Sequence, residues 1–143
     1  MADLDLAAHR AYLEAAMQAV RAAPLARRKA LLAAMLIDGH IDRLFASGGR
    51  GDDILAYRAA MAARSPALGR ILALCGQSGD TALVFDTVAV PLADYGRLAV
   101  EDFMVSLYND HSVQRLRLVT ADGERHDMLD SLTGAIAALD DDI

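Results

Sequence analysis

Hydrophobic residues follow two different spacings along the chain, and the spacing changes about halfway. In the first half, apolar positions recur every three to four residues, as they do on one face of an α-helix. The stretch 81–128 holds most of the β-branched residues, and its segments 81–90 and 113–121 show the two-residue alternation of β-strands. The sequence therefore predicts an α+β fold, with a helical half at residues 1–76 and a β-α-β-β-α half at residues 81–140.

The helical half is predicted to contain four helices, at residues 5–22, 24–45, 52–63 and 65–76. The last of them has the clearest signals, because Ser65 is a good N-cap and Pro66 fits the first helical turn. The third helix is expected to be capped by Asp52 or Asp53. We expect Gly76 to end the fourth helix in the left-handed conformation that glycine adopts easily.

Two segments carry the strand and turn signals of the second half. Residues 81–90 are apolar on both faces, which predicts a strand that is covered on two sides and ended by Pro91. Residues 113–128 are centred on the dipeptide Asp122-Gly123, which is typical of a two-residue β-hairpin turn. We therefore expect a small sheet of about three strands.

Residues 97–109 determine how the strands are connected. Their apolar residues fall at i, i+3, i+4, i+7 and i+8, which favours a helix, whereas a strand would need a bulge at Glu101 and Asp102. We predict a crossover helix, which would make the flanking strands parallel and the sheet mixed. A C-terminal helix from Asp130 or Ser131 completes the fold. Because neither half has enough apolar surface alone, we expect the 143-residue chain to be one domain with one core.

The composition narrows the class of partner. The chain has a formal net charge of −6 and no Trp, so it lacks the basic stripe and the stacking surface typical of nucleic-acid-binding proteins. Its one cysteine, Cys75, excludes an intramolecular disulfide and fits a reducing cytoplasm. The N-terminus lacks the pattern of a signal peptide, and no apolar run reaches the roughly 18 residues of a membrane span. We therefore expect a cytoplasmic protein without a membrane partner.

The predicted hairpin places the most promising chemistry on one face of the sheet. With a two-residue turn, Arg117 lies opposite Met128, and Arg115, Arg117 and His126 point to the same side. The two guanidinium groups could hold an anionic substrate through bidentate hydrogen bonds. His126, or His111 in the loop before the strand, would then transfer protons. The alternative is a solvated outer face, which has the same pattern of charges.

The other groups of polar residues match no recognised catalytic or metal-binding motif. Asp38 and Asp42 share a helix face, but His40 points away from them, so the three side chains cannot bind one metal ion while the helix is regular. Cys75 lies on an apolar helix stripe, where a thiol usually packs in the core. The sequence therefore predicts no metal site, and it identifies no cofactor.

Three functions are compatible with these patterns. The first is a non-catalytic cytoplasmic interaction or regulatory module, whose partner is a second copy of the chain or another protein. The second is a small enzyme or ligand-binding domain for an anionic small molecule, with its pocket between the hairpin and the helical half. The third is an acidic antagonist of a basic partner, whose binding would weaken with salt. The absence of motifs and the many apolar helix faces favour the first, as a homodimer.

Overall fold

The computed structural model of the chain describes residues 2–48, 51–76 and 79–141. Its helices are α1 (Ala2–Ala22), α2 (Arg27–Ala46), α3 (Ile54–Arg64), α4 (Pro66–Cys75), α5 (Val100–Tyr108) and α6 (Met128–Asp140). Its strands are β1 (Ala82–Ala89), β2 (Ser112–Val119) and β3 (Arg125–Asp127), and a 3₁₀ helix, Leu92–Arg97, precedes α5. These elements confirm the predicted α+β class, with N-terminal helices, a three-stranded sheet and a C-terminal helix.

The helices of the N-terminal half begin at local capping signals. Asp53 caps α3 by accepting the Leu55 N–H at 2.9 Å, and Ser65 caps α4 by accepting the Leu68 N–H at 3.2 Å. The predicted left-handed end of α4 is wrong, because Gly76 has φ −73° and ψ 171° and the chain leaves the helix in an extended conformation. None of the described helices is long and apolar enough to cross a membrane.

The three strands form an antiparallel sheet in the order β1-β2-β3. α5 confirms the helix predicted within residues 97–109, but the predicted parallel pairing of the flanking strands is wrong. The connection from β1 to β2 begins and ends at the same end of the sheet, where the Val90 N–H donates to the His111 carbonyl at 2.6 Å. A chain that returns to the end it left must run back antiparallel, so the sheet is not mixed.

The hairpin of β2 and β3 forms with a register that differs from the predicted one. Its loop has three residues rather than two and ends at Gly123, whose φ is +83°. The Thr120 N–H donates to the Glu124 carbonyl at 3.0 Å and closes this loop. Arg117 therefore lies opposite Asp127, whereas the two-residue turn predicted Met128 as its partner. Every side chain of β3 consequently points to the opposite face from the one predicted.

Both halves of the chain contribute to one cluster of buried hydrophobic side chains. Leu83 of β1 and Leu116 and Leu118 of β2 pack in the same cluster as Leu13 of α1 and Ile37 of α2. All five side chains are at most 3% exposed. The sheet therefore shares its apolar core with the helical half.

β1 is less covered than the sequence predicts. Leu83 is 3% exposed, but Phe85, on the same face of the strand, is 51% exposed. The remaining residues of that face are exposed as well. The prediction of a strand covered on two sides is wrong because β1 lies at the edge of the sheet and joins the core only at its Leu83 end.

Candidate functional site

The two arginines of the predicted site lie on one face of the sheet, and each contacts a carboxylate of the protein. Arg115 donates from Nη2 to Oδ2 of Asp102, in the first turn of α5, at 3.0 Å. Arg117 Nε lies 3.7 Å from Asp86 Oδ2, and Arg125 Nη1 lies 3.2 Å from the same oxygen. Asp86 and Asp102 therefore neutralise two of the three positive charges of these arginines.

Arg117 keeps an unused hydrogen-bond donor on this face. Its Nε is buried and makes no hydrogen bond among the described residues, because 3.7 Å to Asp86 is too long for one. Arg115 and Arg117 both line a shallow depression against the 3₁₀ helix, where Arg97 and Asp94 also lie. An anion could enter this depression, but it would compete with the carboxylates already present.

His126 does not join the two arginines, contrary to the prediction. The observed register places it opposite Leu118, on the other face of the sheet from Arg115 and Arg117. Its Nε2 lies 3.3 Å from the carboxylate of Glu124. The predicted combination of two arginines and His126 on one face is wrong, because the longer hairpin loop inverts β3.

His111 closes the turn between α5 and β2. Its φ of +61° is in the left-handed region, and its N–H donates to the Ser106 carbonyl at 2.9 Å. Its Nδ1 makes a hydrogen bond with the Tyr95 hydroxyl, and the two rings lie 5.4 Å apart. His111 and His126 lie near opposite ends of β2, so they do not form one catalytic pair. These contacts give His111 a part in shaping the turn.

The carboxylates of Asp38 and Asp42 share one face of α2, as predicted, and an arginine occupies the space between them. Arg58 of α3 donates from Nη1 to Asp42 Oδ1 at 2.9 Å and from Nη2 to Asp38. These charge-assisted hydrogen bonds link α2 to α3. Within the described ranges, no three His, Cys, Asp or Glu side chains are grouped so that they could hold a metal ion.

Cys75 packs against the hydrophobic core and is half-buried. Burial is the main cause that raises the pKa of its thiol to about 11. At neutral pH the group is therefore protonated and a weak nucleophile. Cys75 therefore acts as a small packing residue at the margin of the core.

A buried histidine pair is the polar feature that the sequence reasoning missed. His9 of α1 and His40 of α2 are 5% and 2% exposed, and their Nδ1 atoms lie 2.8 Å apart. Two neutral imidazoles fit this contact, since one nitrogen donates a hydrogen and the other accepts it. Burial is the main cause that lowers the pKa of both rings, to about 4 for His40. A signal was present: His9 lies four residues before Leu13, and His40 lies three residues after Ile37, on the buried helix stripes.

A cavity of about 370 Å³ lies between the hairpin and the C-terminal end of α1. Arg115 and Leu116 line it from β2, Val20 and Leu25 line it from the helical half, and Met128 lines it from α6. This volume is typical of small-molecule sites. The charged residues of its wall are Arg21, Glu101, Asp102, Arg115 and Asp127. Two cations and three carboxylates give the cavity no excess of positive charge for an anion.

α5 presents an apolar surface to solvent. Six of its nine residues are large apolar side chains with exposed fractions from 37% to 82%. We call these six residues the α5 surface: Val100, Phe103, Met104, Val105, Leu107 and Tyr108. At one end of the helix, Val105 and Tyr108 line a groove together with Thr87 of β1. The α5 surface is therefore continuous with the exposed end of β1.

The α5 surface, the cavity beside Arg115 and the shallow depression beside Arg117 are thus features of the described structure with room for a partner or a ligand. The catalytic and ligand-binding roles of His111, His126, Arg115 and Arg117 stay predictions. No model of a protein family, no curated protein and no solved structure matches this chain.

Proposed function

We propose that the protein is a non-catalytic cytoplasmic interaction module that works as a homodimer, with the α5 surface at its interface. The observation that carries this proposal is the exposure of six large apolar side chains on one nine-residue helix. Exposed apolar surface costs about 25 cal/mol per Å², and contiguous apolar patches on soluble proteins often mark interaction sites. A partner that covers α5 would remove this cost.

The kinds of side chain on α5 support a protein partner. Phe, Tyr and Met are enriched at protein interfaces, and Phe103, Met104 and Tyr108 are of these types. The acidic residues of α5 are confined to its first turn, and one of them, Asp102, is engaged by Arg115. The rest of the helix therefore presents no charge that a partner would have to desolvate.

Catalysis has weaker support from the same contacts. Arg115 and Arg117 lie beside carboxylates of the protein, and His126 lies on the opposite face of the sheet. His111 is used in a turn. A catalytic site on the hairpin would need these groups to converge, and they are spread over two faces and two ends of the sheet.

Native mass spectrometry of the variants Leu107→Glu and Leu32→Glu tests the proposal. The two leucines are exposed to similar extents, 50% and 53%, but only Leu107 belongs to the α5 surface. We expect the wild type and L32E to have twice the chain mass of 15.3 kDa, as dimers, and L107E to have the mass of one chain. The reason is that an unpaired carboxylate in an apolar interface is strongly unfavourable. A wild-type protein that remains at 15.3 kDa at micromolar concentration would reject the homodimer.

A second candidate function, the binding of a small anionic molecule, rests on the volume and position of the cavity beside Arg115 and on that one guanidinium group, since the wall as a whole carries two cations and three carboxylates. The cavity lies between the hairpin and the helical half, the position expected for the pocket of such a function. Excess mass in the native spectrum would indicate a retained ligand. Arg115→Met should abolish it, whereas Arg27→Met, which removes an exposed cation of α2, should not. Spectra without excess mass, together with an unfolding temperature unaffected by inorganic phosphate, would argue against this function.

A further inference from the structure

β1 forms one edge of the sheet along its whole length of eight residues. It lacks the features that usually protect an edge, since it contains no proline or lysine and pairs with β2 without a bulge. Its one charged residue, Asp86, is engaged by Arg117 and Arg125 of the same sheet. Phe85, in the middle of the strand, is half-exposed. β1 is therefore open to pairing with a further strand.

Alternate residues of β1 direct their backbone groups away from β2. The Val90 N–H donates to the carbonyl of His111, its partner directly across the ladder. In an antiparallel sheet, every second residue counted back from Val90 therefore bonds to β2. The backbone groups of Leu83, Phe85 and Thr87 face outward, and no described strand pairs with them.

We infer that β1 pairs antiparallel with β1 of a second copy, so that two three-stranded sheets join into one six-stranded sheet. This inference rests on the proposed function, because it specifies how two copies associate. A strand edge is complementary to its own copy when the two run antiparallel about a two-fold axis perpendicular to the sheet. The residue on that axis then lies opposite itself, and the faces of the two sheets are continuous.

The side chains of β1 select one register for this pairing. An axis at Phe85 pairs seven of the eight residues and places two phenyl rings beside each other, which is a favourable cross-strand pair. An axis at Asp86 also pairs seven residues, but it places two carboxylates directly opposite each other, which is unfavourable. With Phe85 on the axis, Asp86 lies opposite the partner's Val84. The dimer therefore has Phe85 on its two-fold axis.

The strand edge alone is too small for a stable dimer, and the α5 surface supplies further area. Seven paired residues span about 23 Å, and with a sheet about 10 Å thick the edge covers about 230 Å² on each copy. Stable interfaces cover about 800 Å² on each partner. The groove lined by Thr87, Val105 and Tyr108 connects the edge to the α5 surface, so one partner can cover both.

Hydrogen exchange of backbone amides, resolved by NMR, tests the pairing in the unmodified protein. The N–H groups of Leu83, Phe85 and Thr87 should exchange at least about tenfold more slowly in the wild-type dimer than in monomeric L107E. The N–H of Asp86 is the internal control, because it bonds to β2 in both states. A wild-type dimer in which the three outward amides exchange at monomer rates would overturn the strand pairing and leave the homodimer standing. A monomeric wild type would reject both.

Engineered cysteines test the register. In a Cys75→Ala background, Phe85→Cys should form a disulfide-linked dimer on oxidation, because facing residues have Cα atoms about 5.5 Å apart, within disulfide range. Thr87→Cys is the matched control on the same face, and its two copies would lie about 13 Å apart along the strands. Formation of a disulfide by T87C would overturn the register. The register would also be overturned if F85C had the mass of a dimer but formed no disulfide.

Discussion

At the scale of single residues, His9 and His40 show how two polar side chains are buried without a charge. The charged side chains that face the pair from α1, α2 and α6 are Asp5, Arg10, Arg43 and Asp140. These four form two ion pairs among themselves. Their effects do not cancel at His40, where Arg10 and Arg43 lower the pKa and Asp140 raises it. Burial is the largest cause of the lowered pKa of both rings. The pair is therefore stable at neutral pH and sensitive to acid.

We expect the free energy of unfolding to fall in mild acid because of His40. In the unfolded chain a histidine has a pKa near 6.5, whereas burial lowers the pKa of folded His40 to about 4. Between these values only the unfolded state binds the proton, so stability is present above pH 6.5 and is lost as the pH falls toward 4. Urea unfolding should show a loss of about 2 kcal/mol between pH 7.5 and 5.0, above the range where carboxylates titrate.

The variant His40→Asn separates this effect from other acid effects. Its amide can replace the hydrogen bond to His9 but does not titrate. We expect H40N to be less stable at pH 7.5 and to lose less further stability than the wild type down to pH 5.0, with the remaining loss coming from His9, whose pKa burial also lowers. The control His111→Asn, at an exposed turn with φ +61° that asparagine tolerates, should keep the wild-type pH dependence. An unchanged pH slope in H40N would contradict the assignment.

The sequence predicts burial of single residues better than it predicts their contacts. His9 and His40 both lie on apolar helix stripes, so their burial is readable from spacing. The contact between the two stripes cannot be predicted from the sequence, because it depends on how whole helices pack. Arg58 is a similar case: the carboxylates of Asp38 and Asp42 are visible as a pair on one helix, but the arginine that fills the space between them comes from another helix.

At the scale of elements, the helices are predictable and the geometry of the sheet is not. Asp53 and Ser65 act on N–H groups two or three residues away, so their capping is visible in a short window of sequence. The register of β3 depends on whether the loop before Glu124 has two residues or three, and one residue inverts the strand. The direction of β2 relative to β1 depends on how α5 and the 3₁₀ helix fold back, which is a tertiary property.

The three-residue hairpin loop makes a specific prediction about Gly123. A Cβ at Gly123 or at Gly96 would meet nothing within 4 Å, but only Gly123 has a positive φ, of +83°. Gly123→Ala should therefore lower the free energy of unfolding by about 1–2 kcal/mol, the cost of a left-handed L-residue. Gly96→Ala should be neutral or stabilise by up to about 1 kcal/mol. Urea unfolding of both variants measures the difference, and equal effects would contradict the observed loop.

At the scale of the whole molecule, α6 joins the two halves of the chain. It follows β3 directly, yet it packs against α4 and α2 of the helical half. α4 and α6 approach so closely that a Cβ at Gly134 would lie 2.8 Å from the Cβ of Ala67. The sheet contributes Leu116 and Leu118 to the same cluster of buried side chains. The boundary that the hydrophobic spacing shows in sequence is therefore not a boundary in space.

This arrangement predicts that the two halves unfold together. Loss of a large buried side chain from a core costs about 2–5 kcal/mol, and a whole protein is stable by only about 5–15 kcal/mol. A state with β2 detached would leave the sites of Leu116 and Leu118 empty, so its free energy should lie close to that of full unfolding.

Hydrogen exchange in increasing denaturant should give the slowest amides of β2 and those of Ile37 and Ile41 in α2 the same free energy of opening. The monomeric L107E variant is the sample to use, because dimer dissociation would otherwise add to both values. If the β2 amides opened at a lower free energy than those of α2, the sheet would be a separate unfolding unit and the single core would be rejected.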